Sequence, residues 1–163
     1  MHLKFREAAE SDFEDICKLV PTEDDLFLVY PRGTHPFSVE QVKHLAKTRK
    51  ELTVVTANNE IIGFSNLYDF KENEHAFIGN VVIEKSYRKN GIGKKLIGHM
   101  LGIIQTKYNL SEAHLSVFSE NAPALLLYSN LGFLPYAIEE RTNNHGKRVA
   151  LIHMKRSRQS LEL

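Results

Sequence analysis

The 163-residue chain contains a single cysteine, Cys17, which excludes an internal disulfide and a cysteine-based zinc site. Its formal net charge is only +1, which gives no basis for a nucleic acid or a membrane surface as its main partner. No apolar run approaches the roughly 20 residues that span a bilayer, and residues 1–7 lack the apolar core of a secretion signal. The eight histidines lack the HExxH spacing of a zinc site. We therefore expect a cytoplasmic protein without a structural metal.

The composition is that of one ordinary globular domain. Apolar residues make up 42% of the chain and charged residues 25%, and the length is sufficient to bury a substantial core. No repeat, low-complexity tract or linker interrupts the sequence. We expect one domain over residues 1–155, followed by a polar and basic tail over residues 156–163.

Strand patterns and helix patterns alternate along the chain. Apolar alternation and β-branched runs predict seven strands, at residues 3–6, 51–57, 61–68, 75–83, 113–118, 133–140 and 148–154. Apolar spacings of three and four predict four helices, at residues 10–20, 38–46, 92–104 and 121–130. Ser11 and Ser38 stand at helix N-cap positions, and the acidic, aromatic segment 22–37 is broken by turn residues. The order predicts one α/β domain with a mostly antiparallel sheet.

The segment 81–96 joins a strand to a helix through a basic turn that carries two glycines. Val81, Val82 and Ile83 favour a buried strand, and an apolar stripe with helical spacing begins at Ile92. The first amides of a helix lack partners within it, and the helix dipole makes that end positive. Four cations add charge around this end: Arg88, Lys89, Lys94 and Lys95. These features favour a pyrophosphate; the alternative is a plain strand-to-helix turn with solvated lysines.

Residue spacing excludes two other phosphate-binding loops. A Walker loop needs glycine where Arg88 stands and serine or threonine where Lys95 stands. A dinucleotide fingerprint that begins at Gly91 would need glycine where Leu96 stands. The remaining pattern, R-x-x-G-x-G over residues 88–93, resembles the acetyl-CoA-binding signature of the GNAT superfamily of N-acetyltransferases.

A second segment strengthens this resemblance. Residues 121–133 read N-x-x-A-x-x-x-Y-x-x-x-G-F, which is similar to another segment of the same superfamily. Alone, Asn121 would be an ordinary helix cap and Tyr128 a half-buried core aromatic. Seven residues apart, they lie about two turns along one helix face, so both can contact one ligand. The resemblance implies a single-domain GNAT-like fold with about seven strands and about four helices.

The resemblance also implies which residues bind acetyl-CoA. In the superfamily the cofactor lies between two parallel strands that splay apart, so the backbone of Val81, Val82 and Ile83 would pair with the pantetheine arm. Asn121 would contact the pantetheine side. The pyrophosphate would be bound by the turn, at Arg88, Lys89, Asn90, Gly91, Ile92, Gly93 and Lys94. Many members carry proline where Lys85 stands, and we expect no effect of this departure on the amide contacts.

The chemistry that the resemblance implies is direct attack of an amine on the thioester. A tetrahedral oxyanion forms and collapses by expelling CoA thiolate. A backbone N–H near Val82 or Ile83 could stabilise the oxyanion. A tyrosine has a pKa of about 10, so Tyr128 could hold a proton at neutral pH and donate it to the thiolate.

The sequence assigns no general base. In members that acetylate protein amino termini, a glutamate commonly stands five residues before the asparagine of the second signature. Ser116 occupies that position here and cannot itself play that role. Four other side chains from neighbouring segments are each expected to be solvated: Asp69, Glu74, His75 and Glu84. A water-mediated route stays equally open.

The acceptor is predicted only by class. In the superfamily the segment between the first two helices forms one wall of the acceptor site, and here it offers Asp24, Phe27 and Tyr30. Negative charge beside aromatic rings would attract a small amine, a polyamine or a peptide amino group. The alternative is a solvated acidic loop with buried aromatic residues.

The sequence therefore predicts an N-acetyltransferase that moves an acetyl group from acetyl-CoA to a primary amine. Two alternatives stay open. One is a non-catalytic acyl-CoA-binding or sensing module on the same fold, and the other is a nucleotide-binding protein whose turn at residues 88–94 binds another phosphate. The length of the acyl group and the oligomeric state are undetermined, although the terminal hairpin could pair across a two-fold axis in a homodimer.

Overall fold

One seven-stranded sheet organises the computed structural model, which describes residues 1–158. The strands are β1 Leu3–Glu7, β2 Lys50–Ala57, β3 Glu60–Lys71, β4 His75–Ile83, β5 Glu112–Phe118, β6 Leu134–Thr142 and β7 Arg148–Ser157. Their spatial order is β1-β2-β3-β4-β5-β7-β6. Every neighbouring pair is antiparallel except β4 and β5, which are parallel. The predicted α/β fold with a mostly antiparallel sheet is confirmed.

Five α-helices accompany the sheet, one more than the sequence predicts. They are α1 Phe13–Cys17, α2 Glu23–Val29, α3 Val39–Thr48, α4 Ile92–Thr106 and α5 Ala122–Asn130. The additional helix is α2, which lies in the segment that the sequence marks as broken by turns. It begins at Thr22, whose hydroxyl accepts a hydrogen bond from the Asp25 amide at 3.1 Å. None of the helices within residues 1–158 combines the length and the hydrophobicity that a membrane crossing requires.

The first helix differs from its predicted form. A 3-10 turn over Glu10–Asp12 precedes α1, which ends at Cys17, before Pro21 is reached. Ser11 is not its cap. The carboxylate of Asp12 instead accepts the Ala9 amide at 2.7 Å and two bonds from Arg6 at 2.7 and 2.9 Å. Arg6 thereby lowers the pKa of Asp12 and ties β1 to this turn.

The end of β7 also departs from the prediction. The strand runs through Ser157, and Arg156 and Ser157 pair with Ala113 and Glu112 of β5. These two residues therefore belong to the sheet, because β5 offers strand partners along its whole length. The polar composition of this segment is the reason that the sequence does not predict the pairing. The remainder of the predicted tail, residues 159–163, lies outside the described residues.

Two hydrophobic clusters cover the sheet. One is centred on α4, whose residues Leu96, Ile97 and Met100 are fully buried, as the apolar stripe predicts. The other packs α1 and α3 against the sheet through Ile16, Val42 and neighbouring residues. The helix that follows β4 is therefore held rigidly, and its first turn has a defined position at the end of the strand.

Shortening a buried side chain of α4 tests this anchoring. Ile97→Val should lower the free energy of unfolding by about 1 kcal/mol, because it removes one methylene from a fully packed position. The matched control is Ile138→Val on β6, where the side chain is 71% exposed and the change should be within error. Urea denaturation of both variants measures the difference. Equal losses at the two sites would contradict the assignment of α4 to the core.

Candidate active site

Strands β4 and β5 diverge along their length. They pair at only three positions: His75 with Glu112, Ala76 with Ala113, and Phe77 with His114. Beyond Phe77 the two parallel neighbours separate, and we call the gap between residues 78–83 of β4 and residues 115–118 of β5 the wedge. The backbone edge of β4 that faces the wedge has no strand partner in the described residues. An extended ligand can therefore pair with it as an added strand.

A β-bulge bends β4 at the mouth of the wedge. Phe64 pairs with Val82 and Asn66 pairs with Gly79, so β4 has one more residue than β3 over this interval. Within the bulge, Asn80 has a φ of 50°, in the left-handed region that asparagine tolerates better than most residues. The sequence patterns do not predict this bulge.

A buried polar network holds the bulge. The Asn80 side-chain oxygen accepts hydrogen bonds from Arg49 at 2.9 Å and from Asn66 at 2.7 Å. The Asn80 side-chain nitrogen donates to the Val29 carbonyl at 2.9 Å, which fixes the end of α2. The Arg49 guanidinium lies 4.0 Å from the Tyr68 ring centroid, and burial lowers the pKa of Arg49. This network joins α2, α3, β3 and β4 around one point.

The turn between β4 and α4 leaves a helix end open. Gly91 is the N-cap of α4 with a φ of 75°, and it offers no side chain to bind the first helical amides. A Cβ atom placed on Gly91 would meet no atom within 4 Å, so no other part of the described chain packs against this side of the N-cap residue. The Arg88 Nε donates to the Ile83 carbonyl at 2.9 Å, which fixes this cation at the end of β4. This helix end, with its surrounding cations, can bind an anion.

The wedge opens into a cavity of about 680 Å³, to which the predicted donor and acceptor sides both contribute. Val81, Asn121 and Tyr128 line it from β4 and α5, and Phe27 and Tyr30 line it from α2 and the residue after α2. Tyr128 is only 6% exposed, and burial raises its pKa far above the ordinary tyrosine value. Its hydroxyl is therefore neutral across the whole physiological pH range.

The family assignment agrees with this geometry. The model of the Acetyltransferase (GNAT) family matches residues 13–133, which is well over half of the chain. The chain belongs to the GNAT acetyltransferase family. The predicted enzyme class, an acyl-CoA-dependent acetyltransferase, is confirmed at the level of the family.

Known relatives of this GNAT protein include N-acetyltransferases. It is 28% identical to an N-alpha-acetyltransferase of Sulfurisphaera tokodaii over 102 residues, which cover 56% of this chain and 61% of that relative. It is 28% identical over 135 residues to N-alpha-acetyltransferase 30 of Saccharomyces cerevisiae, covering 77% of this chain and 70% of the relative. A crystal structure of spermidine N-acetyltransferase from Vibrio cholerae with CoA and spermine has a TM-score of 0.81 at 22% identity. That match covers 99% of this chain and 98% of that chain, and it shows a shared fold.

The remaining donor residues of the GNAT protein occupy several environments. The side chains of Val82 and Ile83 are buried in opposite hydrophobic clusters, so only their backbone can face a ligand. Asn121 caps α5, with its side-chain oxygen 3.4 Å from the Ala124 amide, and it also lines the cavity. Asn90 donates to the Tyr87 carbonyl at 3.2 Å and stabilises the turn. A Cβ atom on Gly93 would lie 3.1 Å from Leu127, so glycine permits the close packing of α4 on α5.

The predicted acceptor residue Asp24 lies outside the lining of the cavity. Its carboxylate accepts hydrogen bonds from Asn144 and His145, both at 2.7 Å, and these bonds lower its pKa. Both partners belong to the loop between β6 and β7. Asp24 therefore ties the start of α2 to this loop, while Phe27 and Tyr30 of the same segment face the cavity.

Some of the candidate bases line the cavity, and others are engaged elsewhere. Glu74 forms an ion pair with Lys71 at 2.8 Å, Glu84 accepts the Ser86 amide at 2.9 Å, and His75 stacks on His114. Asp69 and Ser116 line the cavity. His153 and Glu139 from the terminal hairpin also line the cavity, and the sequence predicts no role for them. Only the pairing of the last three strands brings them to the cavity, and no local motif marks them.

Within the part of the chain that the structure describes, one group of side chains could hold a metal. Single ligand atoms of His75, Glu112 and His114 lie within 4.8 Å of one another, at the paired end of β4 and β5. The His75 and His114 rings stack at 4.1 Å, and the Nδ1 of His114 lies 2.9 Å from the Tyr136 hydroxyl. The ring stack and the hydrogen bond orient both imidazoles without an ion, and we assign this group a structural role.

Proposed function

We propose that this protein transfers an acetyl group from acetyl-CoA to a primary amine by direct attack. The observation that carries the proposal is that one cavity joins an unpartnered strand edge to the buried Tyr128, beside a helix end that is open to an anion. An acetyl-CoA molecule needs all three features: the helix end for its diphosphate, the strand edge for the pantetheine that follows, and Tyr128 near the thioester at the far end. A structure of the same fold, spermidine N-acetyltransferase from Vibrio cholerae, contains CoA, which supports CoA as the ligand.

The residues of the turn bind the donor in this proposal. The amides from Lys89 to Lys94 would bind the diphosphate, with Arg88 and Lys94 as cationic contacts. The backbone of residues 81–83 would pair with the pantetheine, and Asn121 would contact it from α5. Acetyl-CoA supplies an activated thioester carbonyl, and the protein positions this group at the wedge.

The chain supports two steps of the chemistry. A backbone N–H of β4 near Val82 or Ile83 would stabilise the oxyanion, a contribution of about 3–4 kcal/mol in comparable sites. Tyr128 would protonate the departing thiolate, because it lines the cavity and its hydroxyl is neutral. The bulge at Asn80 supports the first step by reorienting the backbone amides that follow it.

The charges that line the cavity favour an acceptor with few positive charges. Two carboxylates, Asp69 and Glu139, face three cationic side chains, Arg32, Arg49 and Arg141. The acidic side chain predicted to attract cations, Asp24, is bound to the β6–β7 loop instead. We therefore propose a small monoamine or a peptide amino group, in preference to a polyamine.

A thiol-release assay over a panel of amines tests the function. We expect acetyl-CoA-dependent turnover, with a higher kcat/KM for a dipeptide amino group than for spermidine. If none of the amines in the panel leads to thiol release, the non-catalytic alternative is favoured. Calorimetry with acetyl-CoA, CoA, ATP and NAD separates binding of CoA from binding of another phosphate ligand.

Charge reversal at the helix end tests the donor site. Lys94→Glu should raise the Kd of acetyl-CoA roughly tenfold, because a hydrogen bond to a charged group contributes about 1.5–3 kcal/mol. The matched control is Lys18→Glu, which reverses the charge of the lysine that directly follows α1 and whose side chain is 77% exposed. Calorimetry measures both variants. An unchanged Kd in Lys94→Glu would contradict the assignment of the diphosphate to this end of α4.

The homodimer stays a prediction. Strand β6 is the outer strand of the hairpin, and Leu134 and Ile138 are 69% and 71% exposed on it. These positions are where a second copy would contact the chain if the hairpin pairs across a two-fold axis.

A further inference from the structure

We infer that His153 is the proton acceptor for the attacking amine, with Ser116 as the relay and Glu139 as the group that positions the imidazole. The inference rests on the proposed function, because it assigns the base that this reaction needs. Ser116 stands where related N-terminal acetyltransferases commonly carry a glutamate, and the sequence provides no carboxylate there.

The pairing of three strands builds this arrangement. Ser116 of β5 and His153 of β7 are direct cross-strand partners. Ala137 of β6 pairs with His153, so Glu139, two residues further along β6, lies diagonally from His153 on the same face of the sheet. The side chains of Ser116, His153 and Glu139 therefore point to one side, and all three residues line the cavity.

The distances form a continuous chain of close polar contacts. The Ser116 Oγ lies 2.7 Å from the His153 Nδ1, and the His153 Nε2 lies 3.2 Å from the Glu139 Oε1. The Ser116 and Tyr68 side chains both line the cavity, and the Ser116 hydroxyl partly offsets the rise in the pKa of Tyr68 that burial causes. Tyr68 in turn packs under the guanidinium of Arg49, at the polar network that holds the bulge. The relay thus ends beside the backbone that would hold the thioester.

The charge on Glu139 determines which nitrogen of the imidazole accepts the proton. Hydrogen bonds from His153 and Arg141 lower the pKa of Glu139, so its carboxylate is ionised at neutral pH. An ionised carboxylate at Nε2 favours the tautomer with the proton on Nε2. The Nδ1 is then free to accept from the Ser116 hydroxyl, and the imidazolium that results is stabilised by Glu139.

The protons balance in this scheme. An acceptor that arrives as an ammonium ion loses one proton to the Ser116 Oγ, while the Ser116 hydroxyl proton moves to the His153 Nδ1. The amine lone pair then forms the new C–N bond, and the C–S bond breaks with its electron pair on sulfur. The second proton leaves the nitrogen on the way to the amide, Tyr128 gives its own proton to the thiolate, and the second proton restores the Tyr128 hydroxyl through solvent. His153 returns its proton to solvent, to which its side chain is 17% exposed.

The test compares His153→Gln with wild type at two pH values, with the best acceptor of the panel. At about pH 7 the variant should lose about 10²-fold in kcat/KM, the lower end of the range for acid–base catalysis. At about pH 9.5 the deficit should shrink to less than about tenfold, because far more of the amine then reaches the site already deprotonated. A purely structural role for His153 would leave the deficit the same at both pH values.

The other titratable groups around His153 do not produce this pattern. Its neighbours are Glu139, Arg141, Tyr68 through Ser116, and Tyr136, whose ring lies 6.0 Å from the imidazole. Burial raises the pKa of both tyrosines, so they stay neutral over this interval. Glu139 keeps its charge throughout it, because His153 and Arg141 lower its pKa.

Two companion variants complete the experiment. Ser116→Ala should lose about tenfold at about pH 7, because a water molecule can take the place of the hydroxyl. The matched control His99→Gln, on α4 against Phe5, should keep full activity. Calorimetry should show an unchanged Kd for acetyl-CoA in all three variants.

The possible failures are distinguishable. A wild type that acetylates no amine overturns the proposed function, and the relay with it. An active wild type whose His153→Gln variant keeps its activity, or loses it equally at both pH values, overturns the relay alone. A loss of acetyl-CoA binding in His153→Gln would also overturn it, because the defect would then lie in the donor site.

Discussion

Replacing Tyr128 by phenylalanine should lower kcat about 10³-fold while the Kd of acetyl-CoA stays within about twofold of wild type. The proposed role of the hydroxyl is to protonate the thiolate, and a positioned general acid typically contributes 10²- to 10⁴-fold. Among residues 1–158 this hydroxyl has no hydrogen-bond partner, so its removal leaves no group unpaired and should barely change the stability. Stopped-flow measurement of thiol release, together with calorimetry of the donor, separates turnover from binding.

The matched control is Tyr108→Phe. The Tyr108 hydroxyl donates to Glu51 at 2.8 Å, beyond the far end of α4, so its loss should affect stability slightly and turnover not at all. Full activity in Tyr128→Phe would show that another group, or water, protonates the leaving thiolate. Equal losses in the two variants would show that the assay reports stability and not chemistry.

Replacing Asn80 by valine should lower the free energy of unfolding by about 4 kcal/mol and weaken acetyl-CoA binding. The substitution removes three buried hydrogen bonds, to Arg49, Asn66 and the Val29 carbonyl, at about 1 kcal/mol each. It also places a β-branched residue at a φ of 50°, which costs a further 1–2 kcal/mol or so. Because the bulge shapes the wall of the wedge, the donor affinity should fall along with the stability. Urea denaturation and calorimetry measure the two effects.

Asn80→Gly separates the two causes. Glycine adopts a positive φ at little cost, so this variant should lose the hydrogen bonds and keep the backbone conformation. The expected order of stability is wild type, then Asn80→Gly, then Asn80→Val. A valine variant at least as stable as the glycine variant would contradict the account of backbone strain at this position.

Part of the site follows from the sequence because the elements that form it are bounded by strong local signals. Strand β4 has the bounds that its β-branched run predicts, since turn residues precede it and a charged turn follows it. Helix α4 begins at the predicted Ile92, because Gly91 interrupts the chain and the apolar stripe starts directly after it. The two signatures then place the donor side on known elements.

Other parts depend on contacts that no local pattern encodes. Helix α2 has only seven residues, and its existence depends on packing of Leu26 into the core and on the bond from Asn80 to the Val29 carbonyl. The bulge has only a weak sequence signal, which is that Gly79 and Asn80 interrupt an otherwise apolar strand. The proposed relay has no local sequence signal, because Ser116, Glu139 and His153 come together only through the register of three strands.

Because β4 diverges from β5, the wedge has two walls, and the proposed donor residues and acceptor residues lie on different walls. The wall that would hold the donor is encoded by residues 81–94 and by α5, whereas Ser116, Glu139 and His153 stand on the opposite wall, on the last three strands. If these roles hold, substitutions in the terminal hairpin would alter which amine is accepted, and at what pH, and would leave the binding of CoA unchanged. A new acceptor specificity would then require redesign of one hairpin and not of the whole protein.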